Sequence, residues 1–126
     1  MNSDQLVTAW DGAATRYRDV EGPAAAFNVA LLMALQPRWG SVLQPDTSMF
    51  RLLFTRPGTT YYDADERVEV LFETDNRVRM ALTRRVPRRG ESRPAGPVTV
   101  TGDYTRPENA LPAVEALLLQ LADPDA

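Results

Sequence analysis

The chain has 126 residues, a formal charge of −3 and 44% hydrophobic residues, and it contains no lysine, histidine or cysteine. That length suits one domain with a core of its own, and the charge is too small to argue by itself for nucleic acid or membrane. The missing residue types exclude imidazole acid–base chemistry, thiolate nucleophiles, lysine Schiff bases, disulfides and His/Cys metal sites, leaving Asp, Glu, Tyr, Ser, Thr and Arg.

The start, Met1-Asn2-Ser3-Asp4, has no basic segment leading into an apolar run, so no signal peptide is expected. Ser3 is the expected cap of a first helix, because its hydroxyl can accept an orphan backbone N–H. Leu6, Trp10, Ala13, Tyr17 and Val20 follow at spacings of three and four, one apolar stripe. Gly22-Pro23 breaks the chain, and Pro23 suits the first position of a second helix. Ala24 to Gln36 is apolar nearly all round, which predicts a central helix with Phe27 and Leu31 in the core. Its 12-residue stretch Ala24–Leu35 is too short for a bilayer span, which needs about 20 residues. A soluble, cytoplasmic protein is therefore expected. Pro37 should end this helix, and 37–48 reads as a connection.

From Met49 the period becomes two. Phe50, Leu52 and Phe54 alternate with Arg51, Leu53 and Thr55, then Val68, Val70 and Phe72 with Glu69, Leu71 and Glu73, then Val78, Met80 and Leu82 with Arg77, Arg79 and Ala81. Both apolar sets must face one side, so Phe72 should pair with Val78 and Glu73 with Arg77 across the loop 74–76. Asn76, last in that loop, tolerates the left-handed conformation the loop needs. Thr59 to Tyr62 can pair as well. Residues 86–97 read as a mobile loop rich in Pro, Gly and Arg, and Val98–Thr101 as a short last strand. Asn109 is the expected cap of a C-terminal helix carrying Leu111, Val114, Leu118 and Leu121, with a frayed tail at 122–126. The sum is one α+β domain over 1–126: an antiparallel sheet of about four strands, two N-terminal helices and one C-terminal helix, helices mainly on one face.

Four constellations bear on function. On the outer sheet face, Met49, Leu53 and Leu71 sit among Arg51, Glu69, Glu73, Arg77 and Arg79, an apolar centre in a charged rim like that of a protein interface. The plain alternative is a solvated face with a few apolar residues. The segment with Arg84, Arg85, Arg88, Arg89 and Arg93 holds five arginines against Glu91, a net +4, and is a candidate anion site. It lacks the interleaved aromatics of single-strand recognition, so a solvated loop is the simpler reading and nucleic acid is not an expected partner. Asp63, Asp65 and Glu66 form an acidic turn without the glycine and distant glutamate of a calcium loop, so no metal is expected. Trp10, Tyr17, Trp39, Tyr61 and Tyr62 can line a pocket beside Asp11 and Glu21, although aromatics at helical spacing more often pack a core.

No Gly-rich phosphate loop and no Gly-x-Ser-x-Gly elbow occurs, and Glu69 and Glu73 share an open strand face rather than a cleft. The reading is a non-catalytic protein-binding module, adaptor-, inhibitor- or chaperone-like, without cofactor. Its expected partner is another protein or a second copy of the chain, a homodimer, with no membrane. The first alternative is a small-ligand pocket protein, including an enzyme using Tyr, Asp or Glu. The second is a weak phosphate or nucleic-acid binder acting through the arginine loop.

Overall fold

A computed structural model describes residues 1–58, 64, 66–73, 76–85 and 98–123, with only the backbone at 85, 98 and 99. The elements are α1 (Ser3–Arg18), α2 (Pro23–Trp39), β1 (Gln44–Ser48), β2 (Arg51–Thr55), β3 (Glu66–Phe72), β4 (Val78–Arg85), β5 (Val98–Thr105), a 3-10 turn at Pro107–Asn109 and α3 (Ala110–Ala122). The strands form one antiparallel sheet in sequence order. The α+β arrangement is as expected, with five described strands rather than four. Leu52, Phe54, Val68, Val70, Val78, Met80 and Leu82 pack against Trp10, Leu32, Leu35, Val114 and Leu118 in one core, so the helices cover the predicted face. Among the described residues no helix is long and apolar enough to cross a membrane.

Asn2, not Ser3, caps α1. Its Oδ1 accepts the Gln5 N–H at 2.9 Å while Gln5 Oε1 accepts the Asn2 N–H at 2.8 Å. The reciprocal box satisfies two orphan donors, where a Ser3 cap would satisfy one. Leu6, Trp10, Ala13 and Tyr17 are buried, whereas Val20 lies past the helix end and is exposed. Pro23 does open α2, but Pro37 does not close it: the helix runs to Trp39. In the last turn the proline removes a single intrahelical donor, and buried Trp39, whose Nε1 donates to Glu115 Oε2 at 3.2 Å, fixes the turn in place. Nor is α2 buried all round, since Met33 is exposed and Phe27 only partly buried; Leu31 is in the core as expected.

The fifth strand, β1, lies where a connection was expected, and Pro45 and Asp46 are inside it. Hydrogen-bonded and non-hydrogen-bonded pairs alternate along an antiparallel ladder. Ser48 and Arg51 close a two-residue turn, so Ser48, Asp46 and Gln44 turn their backbone groups toward β2. Pro45 and Thr47 point theirs away from the sheet. A proline is compatible with such an edge position because no N–H is needed there. The Thr47 N–H donates to Asp46 Oδ1 at 2.8 Å.

Met49 is therefore not the start of a strand. It sits in the turn at φ 56, and three buried side chains fasten this region. Tyr17 Oη donates to the Met49 carbonyl at 2.6 Å, Asn28 Nδ2 to the Phe50 carbonyl at 2.9 Å, and Trp10 Nε1 to the Leu43 carbonyl at 3.0 Å.

The β3–β4 hairpin has the expected register, Phe72 opposite Val78, with Asn76 at φ 63 and the Glu73 N–H donating to the Arg77 carbonyl at 2.7 Å. β5 runs to Thr105 rather than ending at Thr101, because Gly102-Asp103, which resembles a turn in sequence, stays in the ladder opposite Ala81 and Met80. Asn109 precedes α3 without a side-chain cap hydrogen bond, since a 3-10 turn already leads into the helix. Leu117 joins Val114, Leu118 and Leu121 on its buried side. The expectations for Thr59–Tyr62, Asp63, Asp65, the loop 86–97 and the tail 124–126 lie outside the described residues.

Candidate functional site

The ladder places side chains on the outer face in cross-strand rows. One row is Ser48, Arg51, Leu71, Arg79 and Tyr104; the next is Asp46, Leu53, Glu69, Ala81 and Gly102; beyond it Gln44 pairs with Thr55, and Arg67, Thr83 and Val100 form a further row. Arg51, Leu53, Glu69, Leu71 and Arg79 are thus brought together as the sequence predicts. Met49 is not among them in the sheet: it is 82% exposed at the β1–β2 turn.

The face has two unlike halves. Leu53, expected as an exposed apolar residue, is only 2% exposed, and Thr55 beside it is equally buried. The β2 end of the face is therefore covered, and Leu53 is a packing residue there. At the β4–β5 end the face is open. Val100 is 59% and Tyr104 49% exposed, and the small residues Ala81 and Gly102 form the floor of a groove of about 390 Å³ walled by Glu69, Arg79, Val100 and Tyr104. Leu71 lies half-buried at its margin.

Ion pairs frame the groove. Glu73 binds Arg77 at 3.0 Å and Arg79 at 3.7 Å, and Arg67 lies 3.0 Å from Glu69. The Arg77 guanidinium sits 4.2 Å from the Tyr104 ring centroid, a cation–π contact. Such part-exposed pairs contribute little stability each, but they order the side chains around the groove. Val100, Gly102 and Tyr104 are functional candidates the sequence reading missed. The signal was present: Val98, Val100, Gly102 and Tyr104 continue a period of two through the apparent Gly-Asp turn.

Among the described residues the other constellations do not converge. Trp10, Tyr17 and Trp39 are core residues with their polar ends bonded to Leu43, Met49 and Glu115, while Asp11 and Glu21 are exposed. Burial raises the Tyr17 hydroxyl above the usual 10.0, as suits a structural donor. Tyr61 and Tyr62 lie outside the described residues. Of the arginine segment, Arg84 is occupied structurally: its Nε donates to Glu66 Oε2 at 3.1 Å and its terminal nitrogen to the Gln120 carbonyl at 3.2 Å. The side chain of Arg85, and all of Arg88, Arg89 and Arg93, lie outside the described residues. Glu66, placed by sequence in the acidic turn, opens β3 and pairs with Arg56 and Arg84.

Comparison of the chain with protein-family models, with curated proteins and with solved structures finds no match.

Proposed function

We propose that this chain is a non-catalytic protein-binding module, of adaptor, inhibitor or chaperone type, that meets another protein with the outer face of its sheet. One observation carries the reading. The helices take up one face of the sheet, and the other, between β3 and β5, presents Leu71, Ala81, Val100 and Tyr104 within a rim of Arg51, Glu69, Glu73, Arg77 and Arg79. An apolar floor with ordered charges around it is the anatomy of a protein contact. Leu53, on the same face but buried, lies outside the exposed surface of this contact.

The small-ligand alternative is weakened because Trp10, Tyr17 and Trp39 are consumed by packing, and the phosphate alternative because Arg84 is bonded within the fold. Capture from the source cell tests the reading. A Leu71→Asp/Arg79→Glu chain should lose a protein that the parent retains, while Met33→Asp on the exposed side of α2 should keep it. Equal capture by all three chains, or none by the parent, would remove the outer face from function.

A further inference from the structure

Among the described residues no strand lies beyond β5, and this open edge carries an inference that does not depend on the outer face. Because Glu73 and Arg77 form a bonded pair, alternation makes Leu71–Arg79 and Glu69–Ala81 bonded pairs too. β4 therefore directs the backbone groups of Val78, Met80 and Leu82 to Thr105, Asp103 and Thr101 of β5. The N–H and C=O groups of Val100, Gly102 and Tyr104 point away from the sheet. A side-chain contact agrees with this assignment: the Tyr104 N–H, left over by the ladder, donates to Asp103 Oδ1 at 2.7 Å.

We infer that two copies of this chain pair through the free edge of β5, antiparallel about a two-fold axis at Gly102, joining their sheets into one.

The register follows from self-complementarity. With the axis at Gly102, Val100 of each copy lies opposite Tyr104 of the other, a β-branched–aromatic pair of the kind that stabilises adjacent strands. On the helix side, Thr101 lies opposite Asp103, so the threonine hydroxyl can donate to the carboxylate. The Tyr104 N–H passes from Asp103 to the Val100 carbonyl of the second copy, which leaves that carboxylate free for the threonine. Moving the axis to Asp103 sets two carboxylates face to face. Moving it to Thr101 sets Val100 against Gly102, which has no side chain to meet it. A shift of half a step would pair outward groups with inward ones and lose the ladder. Glycine at the axis lets two backbones approach without opposed side chains.

The surroundings allow the approach. Thr101 and Asp103 are exposed although they face the helix side, so the helix layer stops short of β5. The opposite edge is blocked at Pro45, which is buried and has no N–H to offer a neighbouring strand; Thr47, the other outward position, has its N–H on Asp46 just as Tyr104 has its own on Asp103. One open edge and one closed edge yield a closed two-fold dimer rather than a filament.

Light scattering across a protein dilution series tests this. The parent should weigh twice the 14.0 kDa chain when concentrated and fall toward one chain on dilution. Val100→Lys/Tyr104→Lys sets like charges opposite each other and should remain monomeric. Val100→Lys/Tyr104→Glu sets Lys opposite Glu in this register alone and should restore the dimer. Leu71→Asp, on the face but off the edge, should leave the dimer intact. All four chains, the parent and the three variants, are read against circular dichroism, since Val100 and Tyr104 are exposed in the single chain and their variants should fold. A parent of single-chain mass at every concentration would overturn the inference. So would a dimer that survives the double lysine, one not restored by the Lys/Glu pair, or one abolished by Leu71→Asp, which would place association on the outer face.

Discussion

At β1 the sheet ends in a strand with no free outward donor. Pro45 has none, Asp46 caps the N–H of Thr47, and the following turn is fastened to α1 and α2 by Tyr17 and Asn28. At β5 it ends in a longer strand whose Val100 and Gly102 groups face outward, exposed on both sides, and where a single aspartate covers the Tyr104 donor. The two edges use the same device, an aspartate accepting the N–H of the next residue. They differ in what surrounds it. Where the edge is also anchored to the core, pairing is closed off; where it extends past the helices, pairing remains available.

The largest effect should come from disturbing the closed side. Leu53→Asp places a charge at a buried position whose cross-strand neighbours are Asp46 and Glu69, and should cost about 3 kcal/mol or more in denaturant unfolding. An unchanged midpoint would mean the covered half of the outer face is solvated. This would erase the difference between the two halves.

Next come the anchors of the β1–β2 turn. Asn28→Ala leaves the Phe50 carbonyl without its buried donor and should cost about 1–3 kcal/mol; Tyr17→Phe should cost about 1 kcal/mol. Tyr17 also predicts a pH signature. Its folded pKa is raised by burial, so the folded chain holds this proton more tightly than the unfolded one. The associated stability is complete below pH 10.0 and declines as pH climbs from there through the folded value. Tyr17→Phe should remove that part of the alkaline decline, and identical alkaline curves for both chains would deny the hydroxyl its buried setting.

The open side should respond least. Val100→Thr should change single-chain stability by less than about 0.5 kcal/mol, the scale of surface substitutions. Amide exchange sharpens the contrast. Thr101 and Asp103, bonded to β4, should be protected at any concentration, whereas Val100 and Gly102 should gain protection only as the protein is concentrated. Protection of all four in the dilute chain would show that the β5 edge is already covered within one copy.

Local patterning already determined a good deal here. The helical stripes, the break at Gly22-Pro23, the period-two strands β2 to β4 and the 73–77 turn all follow from spacing and from the backbone freedom of Asn76, which depend on near neighbours alone. The α+β class and the core face of the sheet follow with them. The tertiary structure decided what depends on distant partners. Pro45 and Asp46 form a strand because their position is an edge. Pro37 stays in a helix because Trp39 is held against α3 by Glu115, and Leu53 is buried although its alternation points it outward. Gly102 and Asp103 continue a strand because β4 supplies the ladder. A proline or Gly-Asp pair signals a turn only when no neighbouring strand supplies hydrogen bonds, and which edge stays open depends on where the helix layer ends.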